Sequence, residues 1–230
     1  MKTYTIATFN LHHGKVKGVR YSTKKLCNDV KSLNADIICL QEADVFAFRT
    51  FFRNQPRVIA KALGYHYCSK RVRFFGLGFQ HNAILSKFPI SKFHSFILPG
   101  PNEVQNRVAL NAELKIDEEL ISISTSHLHT SGSLHSDNDI AINQLEVISK
   151  RHEHLDNHLI MGDLNLLPKY VLPVAEKGDY FAVHEYHTSP AHNPKNQIDW
   201  ILAKGLTIDD ATVSPQLCSD HRALIATLTI

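Results

Sequence analysis

The chain has 230 residues, 43% of them hydrophobic and 20% charged, with a formal net charge of +3. That is enough apolar material for one buried core, and a single domain spanning 1–230 is expected. No apolar run approaches the ~18 residues that cross a bilayer, and the mild positive balance permits an anionic substrate without indicating a nucleic-acid binder.

Residues 5–10 alternate like a strand from the first few positions, so the apolar block of a signal peptide is not expected. A helix over 23–33 opens on Ser22-Thr23 as a cap, and a strand over 36–40 follows. Cys39 lies inside that strand, and the four cysteines form no C-x-x-C pair. Buried, reduced thiols and a cytoplasmic location are therefore expected. A helix over 55–63 stops at Gly64, and the basic-aromatic run Lys70-Arg71-Val72-Arg73-Phe74-Phe75 reads as a solvated loop, with a grip on a polyanion or stacking on a base or ring as the alternative. Strands are predicted over 80–86, 108–114 and 120–126, the last two as a hairpin around Asp117-Glu118-Glu119. A helix over 137–154, a strand over 159–161 and strands over 199–203 and 224–229 complete the elements. Between them, 166–197 carries four prolines and little periodicity, and it is expected to be a long loop walling a cleft. Strands outnumber helices without strict alternation, which points to sheet packed on sheet with helices outside.

Several strands end in groups with chemistry. Asn10 closes the first and Gln41-Glu42 the second; Gly162-Asp163-Leu164-Asn165, Ile198-Asp199 and Ser219-Asp220-His221 flank later ones. Carboxylates and amides suit a hard cation such as Mg²⁺, and an Asp–His pair suits proton transfer to or from water. Two decoys carry little weight. Gly76-Leu77-Gly78 precedes its strand and lacks the third glycine of a dinucleotide loop, and His152-Glu153-His154 with His158 is not a zinc-helix pattern.

Thr8-Phe9-Asn10, Leu40-Gln41-Glu42, His81-Asn82-Ala83-Ile84-Leu85-Ser86, Arg107, Ser126-His127-Leu128, Gly162-Asp163-Leu164-Asn165, Ile198-Asp199-Trp200 and Ser219-Asp220-His221 occur in this order along the chain. Together they resemble the endonuclease/exonuclease/phosphatase superfamily, the deoxyribonuclease-I-like fold, in its small bacterial-type branch. The resemblance implies an α+β protein, a four-layer α/β/β/α sandwich of two packed, mainly antiparallel sheets. It also implies hydrolysis of a phosphate ester dependent on Mg²⁺ or Mn²⁺. Carried across, Glu42 is the principal metal carboxylate, with Asn10 and Asp220 completing the shell. Asp163 and Asn165 orient the attacking water, and His221 is backed by Asp199. His127 contacts the phosphate or protonates the leaving oxygen, Asn82 and Arg107 contact substrate, and Asp44 and Arg49 support the site geometry. Whether Asp163 or His221 takes the water's proton stays open.

Leu11-His12-His13-Gly14 departs from the Asn-Gly-Leu-Arg-like stretch of abasic-site endonucleases, and the Trp-Cys-Asp-Arg-like segment of inositol-polyphosphate phosphatases is absent. The expected activity is that of a monomeric phosphodiesterase acting on a nucleic acid, a phospholipid headgroup or a small molecule. The alternatives are a phosphomonoesterase on nucleotides or phosphoinositides, and a non-catalytic phosphate-binding relative.

Overall fold

The computed structural model describes residues 2–14, 21–75, 77–100, 107–130 and 138–230. Its strands are β1 (Thr3–Asn10), β2 (Ile37–Val45), β3 (His66–Phe74), β4 (Phe79–Ser86), β5 (Ile90–Leu98), β6 (Arg107–Ile116), β7 (Glu119–His127), β8 (His158–Asp163), β9 (Phe181–Ala182), β10 (Asp199–Lys204), β11 (Thr207–Val213) and β12 (Leu224–Thr229). The helices are α1 (Thr23–Lys31), α2 (Gln55–Leu63), α3 (Asp139–Arg151) and α4 (Pro168–Lys177). One six-stranded sheet runs β11-β12-β1-β2-β4-β3 and the other β5-β6-β7-β8-β10-β9. Each contains a single parallel pair, β1–β2 and β7–β8; the other pairings are antiparallel.

The period-2 geometry of a strand sorts side chains between layers. Ile37 and Cys39 point between the sheets, where they join Ile6, Ile84, Leu110, Ile123, Met161 and Ile201. Ile38 and Leu40 point the other way, against Leu26 and Val30 of α1 and Ile59 of α2. On the far side, Ile160, Trp200 and Leu202 pack on Leu145 and Ile148 of α3 and Val171 of α4. Because these strands are buried on both faces, they read as unbroken apolar runs. The result is the expected four-layer α/β/β/α sandwich.

Local signals behave as expected at two helix ends. The Ser22 side chain accepts from the Lys25 backbone N–H, and Gly64 ends α2 in the left-handed region at φ 74°. The predicted start of α3, Asp137, lies outside the described residues. Two expectations change. Residues 70–74 are not a loop but part of β3, and the 166–197 segment contains α4 and the short β9. β3 is an edge strand with few buried positions, so it lacks the apolar run that betrays a strand. In α4, Pro168 occupies the first turn, where its missing N–H costs nothing.

Gly162 sets the spacing of the sheet that carries Asp163. A Cβ on Gly162 would lie 2.1 Å from the Ser126 carbonyl oxygen. The bare backbone lets β7 and β8 pair in a register that places His127 beside Asp163.

A buried histidine on the opposite end of β8 has a consequence for stability. His158 is held between Tyr180 Oη, 2.6 Å from Nδ1, and Ser124 Oγ, 2.9 Å from Nε2. Burial drives its pKa well below 6.5, as burial also lowers His152 and takes His81 down to about 4. Below pH 6.5 the unfolded chain binds protons that these imidazoles refuse in the fold. Each therefore removes stability as the pH falls, by up to about 1.4 kcal/mol per pH unit. Urea unfolding midpoints should drop steadily from pH 7 to pH 5; a flat profile would contradict neutral burial.

Candidate active site

The two parallel pairs decide where the polar strand ends meet. In β1–β2 the parallel register sets Asn10, at the end of β1, beside Gln41. Gln41-Glu42 does not close β2, which runs on to Val45, but sits at an irregularity in its pairing with β4. The ends of β7–β8 deliver His127 and Asp163 to the same edge. β10 runs antiparallel to β8 and begins there, with Asp199 paired to Asp163. β12 lies antiparallel to β1, so the turn before it returns Ser219-Asp220-His221 to the same edge. Ser219 Oγ donates to the Asn10 carbonyl at 2.6 Å and accepts from the His221 backbone N–H at 3.1 Å, fixing that turn.

Asp163 is the hub. Its Oδ2 accepts from Asn10 Nδ2 at 2.9 Å and lies 3.5 Å from His127 Nε2 and 3.9 Å from His221 Nε2. Its Oδ1 accepts from the Asn165 backbone N–H at 3.0 Å, while Asn165 Nδ2 donates to the Leu128 carbonyl. Asn165 holds this position with φ 52°, a left-handed conformation that asparagine adopts more readily than most residues. Behind His221, Nδ1 lies 2.8 Å from Asp199 Oδ2, which also accepts from Thr188 Oγ1 at 2.6 Å. At the other end, His127 Nδ1 is 3.5 Å from Glu42 Oε1. Two imidazoles and three carboxylates thus form one chain, Glu42–His127–Asp163–His221–Asp199.

The electrostatics follow from burial. Burial pushes the Asp163 carboxyl above the ordinary carboxylate range, toward neutrality. His221 is also buried, which opposes its charge, but Asp199, Asp163 and Asp220 outweigh that and raise it to about 10. His127 goes the other way: burial, with Arg107 and His221 nearby, holds it neutral. Arg107, at the start of β6, is pushed down to about 10 by burial and by Arg73, while Asp163 and Glu42 favour its charge. Asn82 is buried on β4, donating from Nδ2 to the Val108 carbonyl and leaving Oδ1 without a partner.

Glu42 stands at the mouth with φ 53°, its carboxylate accepting from Gln80 Nε2 at 3.1 Å. Here the sequence reading missed His13. Arg49 Nη2 at 2.8 Å and Gln80 Nε2 at 3.2 Å both aim donors at His13 Nδ1, which makes that nitrogen the acceptor. The ring proton then belongs on Nε2, 3.4 Å from Glu42 Oε2. Arg49 also forks onto Asp44 with two 2.8 Å bonds. Burial works against the Asp44 charge, but the Arg49 fork prevails and holds its pKa low. The signal for His13 was its place in Leu11-His12-His13-Gly14, a stretch that sequence reasoning used only to exclude a branch. Thr188, inside the supposed loop, carried no signal at all.

Among the described residues, two groups bring three ligand-type atoms within 4.8 Å of one another: His12, His13 and Glu42, and Asp163, Asp199 and His221. Asp220 falls in neither group. Its side chain is half exposed and lies 3.3 Å from His12 Nδ1. A cavity of ≈ 760 Å³ between α3 and α4, lined by Asn143, Glu146 and Lys177, shares none of these residues.

A hard divalent cation fits the mouth. Glu42 and Asn10 offer oxygen donors, the donor type that suits such an ion.

Comparison with known proteins agrees with the fold. Solved structures with the same fold include an endonuclease/exonuclease/phosphatase protein from Beutenbergia cavernae DSM 12333 (TM-score 0.78, 16% identity, covering 100% of this chain and 72% of that one). A mannosyl-6-phosphatase from Bacteroides thetaiotaomicron VPI-5482 gives 0.76 at 16% identity, over 99% and 100%. The TDP2 of D. rerio, complexed with a single-strand DNA product, gives 0.73 at 18% identity, over 100% of both. Protein cwh43 of Schizosaccharomyces pombe is 28% identical over 130 residues, 55% of this chain but 13% of its own length. The profile of the Endonuclease/Exonuclease/phosphatase family matches residues 7–221, and with the strand-end constellation this places the chain in that family.

Proposed function

We propose that the protein is a divalent-metal-dependent phosphoesterase that hydrolyses a phosphodiester by in-line attack of water. The observation that carries this reading is the meeting of Asn10, His127 and His221 around the Oδ2 atom of buried Asp163. Glu42 and Asn10 would hold Mg²⁺ or Mn²⁺. Asp220 reaches the same mouth through His12, which shares a ligand-type cluster with Glu42. When bound, the cation supplies charge stabilisation at a phosphoryl oxygen and at the leaving oxygen.

The protein's own groups divide the remaining work. Asp163, fixed at both oxygens, and Asn165 orient the water. Asp199 holds the His221 ring in place, and of Asp163 and His221 the one that is unprotonated takes the water's proton as the new P–O bond forms. The ester P–O bond breaks on the opposite side of phosphorus, and the leaving oxygen acquires a proton. His127 is neutral and presents one N–H, suited to donating to the phosphate or to that leaving oxygen. Arg107 and Asn82, whose Oδ1 lacks a partner, serve substrate contact. The free cysteines accord with a reducing, cytoplasmic setting.

The full chain should hydrolyse bis-(p-nitrophenyl) phosphate with Mg²⁺ or Mn²⁺, lose the activity in EDTA and regain it on adding metal. Turnover that survives chelation would refute the metal assignment. Release of inorganic phosphate from monoesters, with diesters untouched, would move the protein to the phosphomonoesterase reading.

A further inference from the structure

The charge and the aromatic residues of this chain are distributed very unevenly. Residues 45–102 contain ten of its twelve phenylalanines and nine Lys or Arg, with no Asp or Glu at all. The fold places seven of those phenylalanines (Phe46, Phe48, Phe51, Phe52, Phe74, Phe75 and Phe79) in the loop after β2 and in the β3–β4 hairpin, while Phe88, Phe93 and Phe96 lie beside or on β5 in the other sheet. Residues 46–53 form a tight knuckle, closed by bonds from Phe46 N to the Arg53 carbonyl (3.0 Å) and from Phe52 N to the Ala47 carbonyl (2.9 Å). Ala47 is buried, yet Phe46, Phe48, Phe51 and Phe52 are 56–65% exposed. Phe46, Phe51 and Phe52 also hold φ values of 53–56°, a left-handed backbone that a bulky side chain enters only at a cost. The knuckle is therefore a built feature whose outcome is four phenylalanines in water.

The tip of the β3–β4 hairpin adjoins it. A Cβ on Gly78 would meet Ala47 Cα at 2.3 Å, so the two loops are in close contact, and Leu77 on the hairpin is 71% exposed. Phe75 connects this patch to the site. Its ring is covered by Arg49 at 4.5 Å and Arg73 at 4.9 Å and stacks on His13. Arg53, in the knuckle, is exposed, as are Lys70 and Arg71 farther along β3, where the Arg71 guanidinium lies 5.2 Å from the Phe79 ring.

We propose that the Phe46–Phe52 knuckle and the hairpin tip dock the enzyme on an anionic lipid surface. Phenylalanines enter the headgroup–acyl boundary while the surrounding arginines and lysines meet anionic headgroups. The Glu42 mouth then faces headgroup phosphodiesters, so the inference rests on the phosphodiesterase reading for its substrate but not for its binding. A single-stranded nucleic acid would use the same charge, but it needs open ring faces along a groove. Here the Phe75 ring, 40% exposed, already holds Arg49, Arg73 and His13 against it, and Phe48 and Phe52 stand edge to face at 5.9 Å rather than as open parallel faces.

The test is co-sedimentation of the full chain with phosphatidylcholine vesicles, with and without about a third phosphatidylserine. The wild type should bind the anionic vesicles and release them as salt rises. Phe48→Ser with Phe52→Ser should lower the partition by roughly tenfold or more. Phe181→Ser, at an exposed phenylalanine outside the patch, should bind like the wild type. Hydrolysis of soluble bis-(p-nitrophenyl) phosphate should be unchanged in all of them. Absence of wild-type binding, or equal binding by the double variant, would overturn docking. So would loss of oligonucleotide rather than vesicle binding in the double variant. Vesicle binding by a wild type inert toward every diester would support docking and sink the phosphodiesterase reading instead.

Discussion

Asp163→Asn is expected to lower turnover of a soluble phosphodiester by about 10²–10⁴-fold while leaving the fold intact. The argument is geometric. Each Asp163 oxygen already accepts a fixed donor, the Asn165 N–H on one side and Asn10 Nδ2 on the other. An amide turned either way sets its own NH₂ against one of those donors. Asn10 cannot simply flip to compensate, because its Oδ1 accepts from the His12 backbone N–H at 2.9 Å. His221→Ala should cost a similar factor, since it strips Asp199 of the ring it orients. If both residues serve one proton-transfer step, the double variant should be little worse than the poorer single one. Multiplicative losses in steady-state kinetics would show that they act in separate steps.

Glu42→Gln should abolish tight divalent-metal binding measured by calorimetry, and activity should fall with it. His13→Ala tests the layer behind. Removing a group that orients a metal-binding carboxylate commonly costs 10–100-fold in metal affinity, and about that loss is expected here. Activity at saturating Mg²⁺ should then largely return. If His13→Ala bound metal like the wild type, the Nε2–Glu42 contact would be incidental packing.

How much of this was legible beforehand depended on burial. β1, β2, β4 and β8 are buried on both faces and carry continuous apolar runs, so the sequence located them and the polar residues at their ends. The edge strands β3 and β5 have mostly accessible side chains and offered no such run, and neither was expected. α4 was hidden by prolines that normally argue against helix. Asp163, His127, Glu42 and His221 came from motif order, and the fold does bring them to one edge. His13 and Thr188 act through partners distant in sequence, Arg49 and Asp199, which no local pattern encodes.

The position of β1 also has a kinetic consequence. It lies in the middle of its sheet, between β2 and β12, and its pairing with β12 runs from Thr3 with Thr229 to Thr8 with Leu224. During synthesis on the ribosome, one side of β1 therefore stays unpaired until residues 224–229 have emerged. Such long-range pairing folds slowly and leaves an open, sticky edge in the nascent polypeptide. Among the described strands, the one bearing Asn10 emerges before the others and gains its second partner only with β12.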